Sequence, residues 1–276
     1  DDSYFVTTIN TLYRFGRRLH LEAGLKIGEI AAIAAAPNCL LVSTNKSVLT
    51  FDQELELAGK VVIGKNSHDI IAHEHIAYIL DNVIIPQYIL KLDIRDPEKV
   101  KLIGKKEIIG VNPHLTAHSL DVTNNEWLIF QTECSMSDND VNLFVFSPDE
   151  MKGKRMFPVH HHPFFTEWDI EHLLECITPF SPSYAVITNA GQYYSATFNT
   201  KMNKLDLENI FDLHVKFTQE RTYYFENKRI LSKVEMRDNL LYIILENHLL
   251  VVDVAKKPEI IVKQSFNKTL YDFTFY

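Results

Sequence analysis

Five side chains could build a metal or ligand shell if the fold brought them together. They are His68 and Asp69 in "SHDIIAHE", His114 and His118 in "HLTAH", and Asp169 in "WDIEHLLE". Imidazole and carboxylate together form the donor set of many zinc and iron sites. His114 and His118 stand an even number of residues apart, so on a strand they share one face. The same residues support a structural reading. A His-Asp pair at a strand start satisfies loop backbone groups through Asx-type and capping contacts. Recurrence of such a pair with a repeat fits a part that holds repeated units together.

The densest histidine run is "PVHHHPFF", Pro158 to Phe165. Successive side chains of an extended segment point in opposite directions, so at most His160 and His162 could share an ion. With Phe164, Phe165 and Trp168 close by, the segment also reads as an aromatic-rich partner-binding loop. "MSDNDVN" (Met136 to Asn142) alternates carboxylates like a calcium loop but lacks the glycine and distal glutamate of an EF-hand. It reads as a hairpin tip. No Gly-x-Ser-x-Gly is present, and the nine glycines form no phosphate-cradling loop. No catalytic residue is assigned, and the one cofactor in view is a divalent metal at the His/Asp positions.

What must position these residues is a repeat. "TLYRFG", "SVLTFD", "YILKLD", "NLFVFS", "YSATFN" and "HLLVVD" share apolar positions followed by a turn-former. Their anchors, Phe15, Phe51, Leu92, Phe146, Phe198 and Val252, lie 36, 41, 54, 52 and 54 residues apart. A β-branched and aromatic run precedes each copy, another follows most of them, and a further short run ("HDIIAHE", "HLTAHSLDV", "WDIEHLLE", "ILSKVEM") opens the unit. Four short strands per unit at this period predict an all-β fold, a β-propeller. "FNTKMNKLDLENIFDLHVKF" (Phe198 to Phe217) leaves a short insertion helix and an outer strand both open.

The two ends of the chain complete one another. "LYDFTFY" has no unit after it, and "DDSYFVTTI" has no opening strand before it. Joined, they match "HDIIAHE-HIAYIL". The expectation is a single domain, 1–276, with six blades, seven being the alternative. The N- and C-terminal strands would share one blade, because an open propeller leaves unpaired strand edges.

The unit from His68 to Gly104 resembles the LVIVD repeat. His68-Asp69 open it, Tyr78 centres the next strand, Leu92-Asp93-Ile94 close the third, and Asp96-Pro97 lead into an outer strand ending near Gly104. Leu240 to Val262 is a partial second copy, with Asp253 and Pro258 in register. The resemblance implies architecture rather than an activity.

Composition narrows the rest. A formal charge of −8, with "KGKR" (Lys152 to Arg155) as the best basic run and read as a solvated turn, sets a nucleic-acid binder aside. No apolar run has the length of a membrane helix. Cys39, Cys134 and Cys176 are odd in number and widely spaced. They read as free thiols and lean the chain towards a reducing, cytoplasmic setting. Export with a removed signal stays open, since the chain begins Asp1-Asp2-Ser3. Two Asn-x-Ser/Thr sequons, at Asn45 and Asn267, carry little weight alone because the motif is common by chance. The functional expectation is a non-enzymatic binding module or scaffold presenting a face to a protein partner. The alternative is a channel-mouth enzyme or metal-binding protein built on the His/Asp residues.

Overall fold

A computed structural model describes residues 3–16, 20–64, 69–81, 88–107, 116–122, 128–133, 142–147, 152–158, 174–180, 183–188, 192–199, 204–212, 231–245, 247–255 and 258–275; from 116 to 234 it describes the backbone alone. The chain divides into two compact units, Asp1–Pro113 with Phe266–Tyr276, and His114–Ser265. The described strands form four-stranded antiparallel sheets, six in number.

The first unit holds three of these sheets. Sheet 1 contains β1 (Tyr4–Thr7), β2 (Thr11–Gly16) and β3 (His20–Lys26). Sheet 2 contains β4 (Ile30–Ala36), β5 (Cys39–Thr44), β6 (Ser47–Phe51) and β7 (Leu57–Val62). Sheet 3 contains β8 (Asp69–His73), β9 (Ile76–Asp81), β10 (Tyr88–Asp93) and β11 (Lys101–Glu107).

The second unit holds the other three. Sheet 4 contains β12 (Thr116–Val122), β13 (Leu128–Glu133), β14 (Asn142–Ser147) and β15 (Lys152–Pro158). Sheet 5 contains β16 (Leu174–Phe180), β17 (Ser183–Thr188), β18 (Gln192–Asn199) and β19 (Lys204–Asp212). Sheet 6 contains β20 (Leu231–Arg237), β21 (Leu240–Leu245), β22 (His248–Asp253) and β23 (Glu259–Ser265).

The last strand, β24 (Asp272–Phe275), returns to sheet 1 and pairs antiparallel with β1, Tyr4 opposite Phe275 and Thr7 opposite Asp272. The N- and C-terminal strands thus share one sheet, as the joined ends anticipate.

Burial explains why the second strand of a sheet reads as an unbroken apolar run. In β5, Cys39 and Leu41 pack with Ile70, Ala77, Ile79 and Leu90 of sheet 3. Leu40 and Val42 pack with Phe5, Leu12 and Phe51 towards sheet 1. Side chains alternate between faces, and both faces are covered, so apolar residues fill most of the strand and its polar residues, Ser43 and Thr44, come at its end. Each fully buried leucine of this kind contributes about 1.5–3 kcal/mol. Cys39 has no exposed surface, and burial pushes its thiol up to about 11. Last strands face solvent along much of their length, as in β7, β11 and β23.

One stretch differs from the sequence expectation, and another, open to two readings, is decided in part. The opening strand of sheet 5 is "LECITPF" rather than "WDIEHLLE". Pro179 discourages a strand reading, yet it is accommodated because β16 is the edge strand of its sheet and pairs on one side only. Of the two readings open for Phe198 to Phe217, the described part, Lys204–Asp212, is an outer strand paired along β18.

The corner after the third strand shows why the repeat places Asp where it does. Asp93 Oδ1 accepts from the Arg95 backbone N–H at 3.1 Å and from Arg95 Nε at 3.0 Å. Asp253 repeats the turn, accepting from the Ala255 N–H at 2.8 Å. Asp96 caps a 3₁₀ turn, Pro97–Lys99, with Pro at the first position, where its missing N–H costs nothing.

The side-chain and backbone hydrogen bonds from Arg95 hold the Asp93 carboxyl down at about 2. That is below its value in an unfolded chain. The contribution is therefore complete above about pH 4 and disappears as pH falls through about 2. Asp93→Asn is expected to leave stability near neutrality slightly reduced, because the pair faces solvent. Variant and parent melting curves should converge below about pH 2; a gap that widens towards acid would contradict this.

Candidate functional site

The site to be tested is the row of polar residues at the starts of the first strands. Such a strand pairs on one side only, and its other edge presents free N–H groups. Buried donors of this kind need acceptors. In the first unit the first strands β24, β4 and β8 run side by side, and side chains supply those acceptors.

Asp272 is 4% exposed and opens β24. Its Oδ1 accepts from the Phe273 N–H at 2.8 Å, within its own sheet. Its Oδ2 accepts from the Ile33 N–H of β4 at 2.8 Å, in the next sheet. Two residues on, Thr274 Oγ1 accepts from the Ala35 N–H at 3.0 Å. One carboxylate and one hydroxyl thereby bridge sheets 1 and 2.

Asp69 occupies the same place in sheet 3. It is 6% exposed, and its Oδ1 accepts from the Ile70 N–H at 2.9 Å. Ile70, Phe273 and Ile33 are the same position in three sheets. Ile70 and Phe273 take an acceptor from the residue just before them. In sheet 2 that residue is Ala32, which has no carboxylate, and the preceding sheet's Asp272 serves instead.

Of the five residues that could have formed a shell, only Asp69 has a described side chain. His118 lies on β12, with only its backbone described. His68, His114 and Asp169 lie outside the described residues. His160, His162, Phe164, Phe165 and Trp168 also lie outside the described residues, as does Met136 to Val141 of the hairpin tip. Among the described residues, no group of three His, Cys, Asp or Glu side chains is placed to hold a metal ion. No helix among them is long and apolar enough to cross a membrane.

Reading the sequence for chemistry passed over Asp272 and Thr274. Their signal was present: Asp272-Phe273 falls on Asp69-Ile70 when the joined termini are aligned. The exposed faces of the last strands carry Leu57, Val62, Leu102, Ile103, Ile260 and Ile261. Lysines 60, 101, 105, 106 and 263 are interspersed with them, an arrangement that opposes edge-to-edge pairing with another chain.

No family model matches the sequence, and no curated protein matches it. Solved structures do match. A protein of unknown function from Bacteroides caccae superposes with a TM-score of 0.65 at 11% identity, covering 99% of this chain and 98% of that one. A chain of a nidogen/laminin complex does so with a TM-score of 0.59 at 12% identity, covering 100% and 98%. The periplasmic gluconolactonase of Pseudomonas aeruginosa gives a TM-score of 0.59 at 10% identity, covering 97% and 84%. Together with the sheet pattern, these likenesses establish that the chain is a β-propeller.

Proposed function

We propose that this chain is a single-domain, six-bladed propeller of the LVIVD-repeat type, and that it is a non-enzymatic module presenting one face to a protein partner. The observation that supports this reading is how Asp272 is used. Both of its oxygens accept from buried backbone N–H groups, one of them in the neighbouring sheet. A carboxylate held in this way is a fastening between blades, and Asp69 stands at the matching position with the same local bond. The recurring His-Asp and Tyr-Asp starts are then part of the scaffold. Binding falls to the connections, where insertions into repeat folds collect. The segment with His160, His162, Phe164, Phe165 and Trp168 has the aromatic content of an interface hot spot.

Replacing Phe164, Phe165 and Trp168 together by alanine is expected to weaken capture of the native partner at least about tenfold, since interface aromatics commonly contribute more than 1 kcal/mol each. Circular dichroism and Tm should remain those of the parent. Unchanged capture would exclude this segment. Metal content measured on the same preparations tests the enzyme alternative: stoichiometric metal lost in a His68→Ala, His114→Ala double variant would overturn the non-enzymatic reading.

A further inference from the structure

Two connections in the first unit carry the same tripeptide pattern. Asn45-Lys46-Ser47 forms the tip between β5 and β6, and Asn267-Lys268-Thr269 lies on the segment leading into β24. Asn45 and Asn267 are both exposed and both sit on bends. The chain around each is tethered. Thr44 Oγ1 donates to the Ser47 carbonyl at 3.0 Å, and the Ile63 N–H donates to the Lys46 carbonyl at 2.9 Å. Beyond Thr269, Leu270 is 1% exposed, and the Tyr271 N–H donates to the Thr7 carbonyl at 2.8 Å. A bulky polar adduct on either asparagine would stand in solvent without disturbing a packed face. Neither pattern has proline in the middle, and each has the hydroxyl residue two positions on that the acceptor motif requires.

The odd cysteine count leans towards a reducing compartment, but the one cysteine whose side chain is described, Cys39, is compatible with either setting. Cys39 is buried between sheets 2 and 3, and its thiol is held protonated. Thiol–disulfide exchange needs an accessible thiolate. A cysteine in this state survives an oxidising compartment unpaired.

We propose that Asn45 and Asn267 are acceptor sites for N-linked glycans, which would make the chain competent for a glycosylating secretory route. The co-reactant is an oligosaccharide carried on a lipid diphosphate. The Asn Nδ2 forms a bond to the anomeric carbon, the bond from that carbon to the diphosphate oxygen breaks, and the displaced Nδ2 proton neutralises part of the leaving diphosphate's charge. Nothing is oxidised or reduced. The proposal is independent of the partner-binding reading, which uses a different segment.

The test is secretion of the full 276-residue chain behind a cleavable signal from cultured eukaryotic cells, with gel mobility and intact mass read before and after peptide-N-glycosidase treatment. The expected result is a secreted protein carrying two removable glycans. Asn45→Gln and Asn267→Gln should each remove one, and the double variant both. Secreted yield should be unchanged in all three variants, because the two positions are exposed. Secreted protein unshifted by the glycosidase would overturn the proposal, as would failure of the parent chain to be secreted. A single variant that still carries both removable glycans would remove its asparagine from the proposal.

Discussion

Asp272→Ala is expected to lower Tm by about 5–15 °C. The substitution removes both acceptors at once. The N–H groups of Phe273 and Ile33 lose the carboxylate they donate to, at residues only 1% exposed. An orphaned buried donor costs about 1–3 kcal/mol, so the loss should be about 2–4 kcal/mol after local relaxation. The damage falls where β24 meets β4, at the strand that joins the C-terminus to the sheet begun by the N-terminus. Hydrogen exchange should show it directly, with protection lost first at the Ile33, Ala35 and Phe273 amides while sheet 3 stays protected. Asp272→Asn keeps one carbonyl oxygen and should fall between parent and alanine variant. An alanine variant that melts with the parent, its Ile33 amide still slow, would mean the bridge between the sheets contributes nothing.

Gly59→Val should cost about 3 kcal/mol, the upper part of the overpacking range, and a comparable fall in Tm. Gly59 lies on β7, where the 3₁₀ turn of sheet 3 comes against sheet 2. A Cβ there would stand 2.2 Å from the Pro97 carbonyl oxygen, 3.0 Å from Thr50 Oγ1 and 3.1 Å from the Glu98 Cα. Two of these three atoms are backbone and cannot rotate aside. The Thr50 hydroxyl also donates to the Pro97 carbonyl at 2.7 Å, a bond that any separation of the sheets would break. Lys60→Ala, one residue along on an exposed side chain, should change stability by no more than about 0.5 kcal/mol. Equal melting of the valine variant and parent would mean that this contact between sheets 2 and 3 is not made in solution.

Both predictions concern joints between sheets, and these joints were the least readable features of the sequence. Nothing in the run "LELAGKVVI" marks Gly59 out from any other strand glycine. What makes a side chain intolerable there is a carbonyl 38 residues away in sequence, brought close by the packing of two sheets. Asp272 looked like one polar residue in an aromatic tail. Its role depends on Ile33, in a different sheet, presenting an N–H that Ala32 cannot serve.

The strands themselves were legible because their causes are local. β-branched and aromatic runs, turn-formers at fixed offsets and a recurring Asp at the corners follow from backbone geometry within a few residues. Asp93 and Asp253 make the same turn for the same reason. The pairing of the termini was legible too, because an unmatched strand at each end leaves an edge that one shared sheet removes. The opening strand of sheet 5 was placed too early, on "WDIEHLLE"; the strand is Leu174–Phe180, which holds Pro179 because it lies at a sheet edge, and edge position is a property of the assembled sheet.

Local residue types thus determined by themselves that the chain would form short antiparallel strands in repeated fours, with its two ends in one sheet. Only the tertiary structure decided that the buried aspartate and threonine of the last strand clasp a neighbouring sheet, because a hydrogen bond's partner is chosen by distance in space, and residues 239 positions apart carry no mark of it along the chain.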